Sequence, residues 1–381
     1  MQLLPFLDQS VQRWAIEARV LRWLIFLWLF VGLAVLFSAS YPVALLERGD
    51  GLHYFKQQLL WSGIGLVCFQ VAAVIPLRLS IKFSAGLLIV TLCLLLATYF
   101  VGETRNEATR WLGVGSFLVQ PSELLKPFLL LRAAQLFGRW YELSWRTRWI
   151  WLGIFLVCLL GILLQPSLSV TAQCGITLWL MAWVGGVPLW QMLGSAVVGC
   201  GAGLLSLSVR EYQRRRVLSF INPWADQAGD GYQLTQSLMA IGSGQVWGTG
   251  FGLSQQKLFL PVQYTDFIMA IFAEEFGLVG CCLLVLMLLV FAGVGFWVGW
   301  RSENLVVRLV AIGGTIMLVG QAFLNIGVAV GVLPTTGLPF PFFSYGGSSM
   351  LASFMTAGFL VRSARETATA QVIPLRFPTK K

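Results

Sequence analysis

The chain has 381 residues, 57% of them hydrophobic and 11% charged, with a formal net charge of +10. That apolar share exceeds the roughly 45–50% usual in soluble domains, and a water-soluble fold has no means of hiding it. The composition therefore excludes a soluble globular enzyme. It also speaks against nucleic-acid binding, because the basic residues are not interleaved with aromatics in a patch and suit the cytoplasmic face of a membrane protein instead.

Apolar stretches near the roughly 20 residues needed to cross a bilayer recur along the chain, and in lipid only closed hydrogen-bonding structures satisfy the backbone. The expected fold class is all-α and integral to the membrane, with about ten transmembrane helices. They are expected near Leu21 to Ala39, Phe55 to Pro76, Phe83 to Val101, Ser122 to Phe137, Trp149 to Gln165, Leu168 to Gly185, Val187 to Leu207, Glu274 to Val298, Leu305 to Val330 and Ser348 to Leu360. The first is read as an uncleaved signal anchor: Arg19 and Arg22 precede an apolar run ending in Ser38-Ala39-Ser40, and no exported soluble domain follows. The fourth carries Glu123, Lys126 and Arg132, an unusual set in lipid, and the alternative is that it does not cross. All seven cysteines (Cys68, Cys93, Cys158, Cys174, Cys200, Cys281, Cys282) fall inside these spans and read as packing residues.

Lys and Arg in short loops favour the cytoplasmic side. Arg13, Arg19, Arg22, Arg78, Lys82, Arg139, Arg146, Arg148, Arg301, Arg362, Arg365 and Lys380 then share one side, which places both termini in the cytoplasm. The early alternate loops are balanced or acidic, with Glu47, Arg48 and Asp50, then Glu103, Arg105, Glu107 and Arg110. The domain plan is a cytoplasmic N-terminus over residues 1–20, a multi-pass domain over 21–362 in the cytoplasmic (inner) membrane, and a cytoplasmic tail over 363–381.

A large extracytoplasmic loop, about 208–266, separates helices 7 and 8. Its first half holds Arg210, Arg214, Arg215 and Arg216, either a charged helix end in water or an anion site, since guanidinium forks match phosphate oxygens. Its second half is rich in glycine (Gly229, Gly231, Gly242, Gly244, Gly248, Gly250, Gly252) but lacks the βαβ setting of a dinucleotide fingerprint. It is expected to be amphipathic and partly helical on the membrane surface, with Trp224 and Trp247 at headgroup depth. Asp266 follows at the outer mouth of the eighth span, where structure and chemistry weigh evenly, and Glu274 and Glu275 stand in its opening turns. Carboxylates there face a cavity or a cation, and Lys126 and Arg132 are natural candidates for an ion pair. Three prolines and four glycines between Gly331 and Ser349 break any helix, so this segment is expected to re-enter or cap a groove. The lone His53 reads as interfacial and can nucleate no zinc site, and there is no GxxxxGK[ST] phosphate loop.

Four of these segments carry a resemblance. RWLGVGSFLVQPSELLK (Arg110 to Lys126), NPWADQAGDGYQLTQSLMAIGSG (Asn222 to Gly244), TDFIMAIFAEEFG (Thr265 to Gly277) and the run from Asn325 through LPTTG to SYGGSS resemble the SEDS family of shape, elongation, division and sporulation proteins, most closely its FtsW division branch. The resemblance implies a ten-helix enzyme that polymerises lipid II, the undecaprenyl-pyrophosphate-linked disaccharide, into β-1,4 peptidoglycan strands. It maps the family's aspartate onto Asp266, as general base for the acceptor 4-hydroxyl. Arg214, Arg215 and Arg216 would bind the diphosphate, with Lys126 able to take that role or to position Asp266. Arg110, Glu274, Glu275, Ser344, Gly346 and Gly347 fall within the same motifs as supporting or binding residues. No cofactor is certain; a divalent cation (Mg or Mn) with the diphosphate stays open, although no dedicated ligand set is visible. The implied partners are lipid II, a class B penicillin-binding transpeptidase and other divisome proteins. The chain departs from relatives at Gln165-Pro166-Ser167-Leu168, where many read QPDL, and at LPVQYTD (Leu260 to Asp266), where many read LPEAHTD. The first puts that position's role here in doubt, and the second isolates Asp266. Two further readings remain, a lipid II flippase with a polar path through the bundle and a non-catalytic division scaffold.

Overall fold

The computed structural model describes residues 14–372 except 106, 107, 115, 116, 166, 227, 228, 230 and 262. Of the residues named above, Arg13, Glu107, Pro166 and Lys380 lie outside the described residues, as does the Arg105 side chain.

The described residues form α1 (Ile16–Arg48), α2 (His53–Val74), α3 (Leu77–Val101), α4 (Pro121–Gly138), α5 (Trp145–Leu164), α6 (Leu168–Val184), α7 (Leu189–Val209), α8 (Glu211–Ile221), α9 (Tyr232–Ser243), α10 (Ile268–Arg301), α11 (Leu305–Ala329) and α12 (Gly347–Val372). Every span expected from hydropathy falls on one of these helices. Seven of them, α1, α2, α3, α5, α7, α10 and α11, are long and apolar enough to cross a membrane, and α6 is a shorter apolar helix. The chain is a multi-pass membrane protein. Helix α12 runs along α2, and α4 packs against α3, α6, α11 and α12. The Glu123 and Lys126 side chains of α4 are buried within the bundle, where they are shielded from lipid.

Helix α11 is central: 67% of its apolar stretch is buried, against 11% for α7 at the periphery. Small residues let its neighbours approach. A Cβ on Gly313 would press on Leu130 of α4 and Met181 of α6, and one on Gly295 of α10 would meet Thr315.

Three short strands were not expected from the sequence: β1 (Glu103–Arg105), β2 (Ala108–Val114) and β3 (Phe117–Val119), antiparallel in the order β1-β2-β3. Pairing of Leu112 with Val119 and of Val114 with Phe117 makes β2 and β3 a hairpin that leads into α4, and β2 carries Arg110.

The segment between α7 and α10 is partly helical, as expected, with α8, α9 and 3₁₀ turns at Pro223–Asp226 and Gln256–Leu258; Trp224 and Trp247 are exposed. Its glycines serve a break in α10. At Gly277 the backbone leaves the helix (φ 62°, ψ −164°), freeing polar groups that lipid cannot satisfy. The chain after α9 supplies the missing partners: Leu278 N and Val279 N donate to Gln245 O (2.9 Å) and Val246 O (3.1 Å), while Thr249 N and Gly250 N donate to Glu274 O (2.9 Å) and Glu275 O (3.1 Å). This close approach requires glycine, because a Cβ on Gly248, itself at φ +80°, would collide with the Glu275 carbonyl.

Residues 332–346 are irregular, and Leu338, Phe340, Phe342, Phe343 and Ser344 are buried. The expected break in helix is present, and side chains of neighbouring helices take up its backbone groups. Gln321 Nε2 donates to Pro339 O (2.6 Å), Asn325 Nδ2 to Leu338 O (2.8 Å) and Gln58 Nε2 to Ser344 O (3.1 Å).

Candidate active site

Asp266 sits in the turn before α10, half-buried under the 332–346 segment. Two guanidinium groups act on it. Arg216, midway along α8, donates through Nη1 to Thr335 O (3.1 Å). Gly337 lies where this carboxylate and this guanidinium converge: a Cβ built there would be 3.6 Å from Asp266 Oδ2 and 3.9 Å from Arg216 Nη1. Arg110 on β2 donates through Nε to Gln165 O (2.9 Å) and adds a second positive charge. Burial pushes the Asp266 carboxyl above the usual carboxylate range, and Arg216 and then Arg110 draw it back part of the way. A carboxylate raised by desolvation is a stronger base than one in water, and the cations keep its ionised form accessible.

The turn that bears Asp266 is tied down through its backbone. Asn325 Nδ2 donates to Asp266 O (2.9 Å), Ser344 Oγ donates to Thr265 O (2.5 Å), and Tyr345 N donates to Tyr264 O (2.9 Å). Ser344 Oγ also accepts from Phe340 N (2.7 Å). Gly346 N donates to Gln58 Oε1 (3.2 Å), and Gly347 opens α12 against the Trp61 ring, which leaves no room for a Cβ. Ser344 thus fixes the turn that bears Asp266, and Gly346 and Gly347 lead from it into α12 against α2.

The arginine cluster divides. Arg214 and Arg215 are exposed, and Arg215 Nη2 pairs with Glu211 Oε1 of the same helix (2.8 Å). Only Arg216 of the three turns to Asp266, because successive residues of a helix point in different directions. Lys126 is buried and committed to Glu123 Oε1 (2.6 Å) and Gln321 Oε1 (3.1 Å), and Gln321 accepts a further bond from Gln173 Nε2 (2.9 Å).

The expected ion pair of Glu274 or Glu275 with Lys126 or Arg132 is corrected. Glu274 accepts from Ser254 Oγ (2.5 Å), Gln255 N (2.9 Å) and Gln256 N (3.4 Å), and Glu275 accepts from Ser38 Oγ of α1. Arg132 bonds to Gln135 and stacks over Trp151 (3.7 Å to the ring centroid). The break at Gly277 folds the glycine-rich segment over these carboxylates, so neutral donors reach them and α4 does not.

Residues 18–369 match the family of cell cycle proteins comprising FtsW, RodA and SpoVE. The chain belongs to this family. It is 52% identical over 375 residues, 98% of this chain and 95% of the relative, to a protein of Synechocystis named probable peptidoglycan glycosyltransferase FtsW. To a putative peptidoglycan glycosyltransferase FtsW of Mesostigma viride it is 45% identical over 367 residues, 96% of this chain and 88% of the relative. Among solved structures, a chain from work on the coordination of polymerization and crosslinking by a peptidoglycan synthase complex superposes with a TM-score of 0.73 at 26% identity, over 91% of this chain and 97% of that one. The rod shape determining protein RodA of Thermus thermophilus gives 0.67 at 25% identity, over 91% of this chain and 96% of RodA.

Within this FtsW, RodA and SpoVE framework, the residues to which the sequence assigned no role are carboxamides: Gln58, Gln173, Gln321 and Asn325, the last noted only as the start of a motif, all buried. Their signal was present, because Gln and Asn in apolar helices bond across helix interfaces. Gln321 and Asn325 stand one turn apart on the central helix, facing the same segment. Among the described residues no group of three or more His, Cys, Asp or Glu gathers as a metal-holding set.

Proposed function

We propose that this chain is a peptidoglycan glycosyltransferase that polymerises lipid II into β-1,4 glycan strands during cell division, at the outer face of the cytoplasmic membrane with both termini inside. The activity follows the names of relatives that match almost the whole chain. The observation that supports the chemistry is a carboxylate raised by burial, acted on by Arg216 and Arg110, beside a segment of irregular backbone.

Asp266 takes the proton of the acceptor 4-hydroxyl as that oxygen attacks the anomeric carbon of the donor. The new C–O bond forms on the face opposite the α-linked diphosphate. The bond to the diphosphate breaks, and the electron pair leaves with it. Arg216 and Arg110 stabilise the charge that develops on the departing group. Arg214 and Arg215, exposed on the same helix, draw the anionic headgroup towards the mouth. No group of three or more His, Cys, Asp or Glu among the described residues would hold a divalent cation, so Mg or Mn would be carried by the diphosphate itself and would add counter-charge to it. The working partners are a class B penicillin-binding transpeptidase and other divisome proteins, in keeping with a structural relative studied as part of a peptidoglycan synthase complex.

The test is polymerisation of labelled lipid II by the purified protein with its cognate transpeptidase, comparing wild type with Asp266→Asn at equal folded yield. Strands from wild type and none from the variant are expected. A wild type that makes no strands yet moves lipid II across liposome bilayers would replace this reading with a flippase.

A further inference from the structure

Asn325 is buried on the central helix, remote in sequence from Asp266, and both hydrogens of its Nδ2 are spent near the site. One goes to the backbone carbonyl of Asp266 (2.9 Å) and the other to that of Leu338 (2.8 Å). An amide nitrogen has two donors, and both are used to bridge two irregular segments, while the buried Oδ1 accepts no hydrogen bond among the described residues. The Asp266 turn precedes α10. Leu338 follows Gly337, where an added Cβ would fall 3.6 Å from Asp266 Oδ2 and 3.9 Å from Arg216 Nη1. Arg216 is itself held by Thr335 O of the same segment (3.1 Å). One turn earlier on α11, Gln321 binds the adjoining Pro339 O (2.6 Å) and is fixed from behind by Lys126 Nζ (3.1 Å) and Gln173 Nε2 (2.9 Å).

We infer that Asn325 is a positioning residue for the transfer reaction, setting the distance between the base-bearing turn and the segment that holds Arg216. This inference rests on Asp266 acting as the base. The two loops also bond directly, Ser344 Oγ to Thr265 O and Tyr345 N to Tyr264 O, and Asn325 adds from the rigid helix the tie at Asp266 itself. Without it the carboxylate and the guanidinium remain present, but their separation is no longer held to the tolerance that proton transfer and leaving-group stabilisation demand. A displacement of about 1 Å in such a constellation costs on the order of 10²-fold in rate. Gln321, backed by Lys126 and Glu123, holds the same segment from a second point, which connects a buried ion pair of α4 to the site without any substrate contact.

The experiment compares lipid II polymerisation by the full-length protein with its transpeptidase for wild type, Asn325→Ala, Asn325→Asp, Asp266→Asn and Asn304→Ala. Asn304 caps the other end of the same helix by accepting from Val306 N (2.9 Å) and Val307 N (3.3 Å), so its loss reports instability of α11 alone. Asn325→Ala is expected to lower kcat by about 10- to 10²-fold with KM for lipid II little changed. Asn304→Ala should retain kcat in the folded fraction. Asn325→Asp serves if the alanine variant does not fold. Its carboxylate can donate to one of the two carbonyls only when protonated, so its rate should decline on the alkaline side at a pH where wild type is still active. A uniform loss at all pH values would instead mark general destabilisation and overturn the inference. So would a kcat for Asn325→Ala within about twofold of wild type, or a loss confined to KM. Activity surviving in Asp266→Asn takes down the base assignment itself, whereas an inactive Asp266→Asn beside a fully active Asn325→Ala takes down only the positioning role.

Discussion

Asp266 and Glu274 are acidic residues close together in the chain, and they stand in opposite surroundings. Glu274 is closed off by neutral donors from one loop, Ser254 Oγ and the amides of Gln255 and Gln256. Asp266 lies under an irregular segment with two guanidinium groups acting on it, and neutral donors hold its backbone and not its carboxylate. The difference teaches that the kind of partner separates these two carboxylates more sharply than burial does, and the base role proposed for Asp266 rests on it. Glu274 fastens the glycine-rich segment across the break in α10, and Asp266 has its charge tuned.

The sharpest way to break this comparison is to neutralise each acid in turn. Asp266→Asn should lower the polymerisation rate by roughly 10²- to 10⁴-fold with an unchanged unfolding temperature. Glu274→Gln should do the reverse, keeping the rate per folded molecule while losing about 1–3 kcal/mol of stability, because an amide –NH₂ cannot accept from the donors around it. Similar outcomes for the two would erase the distinction.

A second contrast sets Asp266 against the Glu123–Lys126 pair. Lys126→Met leaves Glu123 charged and alone inside the bundle and should cost about 3–5 kcal/mol, read as lost folded yield in detergent. Adding Glu123→Gln should restore both yield and activity. A double variant that folds but polymerises poorly would give Lys126 a part in the reaction, either direct or through its bond to Gln321. Smaller is the effect of Gly248→Ala, where a side chain at φ +80° is strained and meets the Glu275 carbonyl. It should cost about 1–3 kcal/mol in thermal unfolding.

The arginines provide the finest test. Arg216 draws the Asp266 carboxyl down, so Arg216→Ala should raise it further. The base works only when ionised, so the acid limb of the pH–rate profile should move to higher pH, and the rate at neutral pH should fall. Arg215→Ala removes an exposed pair with Glu211 and should change the rate by no more than about twofold.

Much of this was legible beforehand. The helices follow from hydropathy, and the run from Gly331 to Ser349 declared itself as a break in helix through its prolines and glycines. Asp266 stood out as an acid at a helix mouth. The strands around Arg110 did not stand out, because β2 and β3 are stabilised by pairing with each other and carry no strong alternation. The pairing of Lys126 with Glu123 was readable as an i,i+3 contact on one helix, yet Glu274 and Glu275 were the partners expected, because nothing local revealed that the chain after α9 would cover them.

By itself, the sequence determined that this protein lies in a membrane, is built of helices, and carries the motifs of its family. Those properties come from apolar content summed along single segments and from a backbone that lipid does not solvate. Tertiary structure alone decided which arginine of three acts on Asp266, which residues mend the break at Gly277, and that Asn325 bonds the turn bearing Asp266. Each depends on the direction a side chain points across elements distant in the chain, and packing of the whole bundle sets that direction.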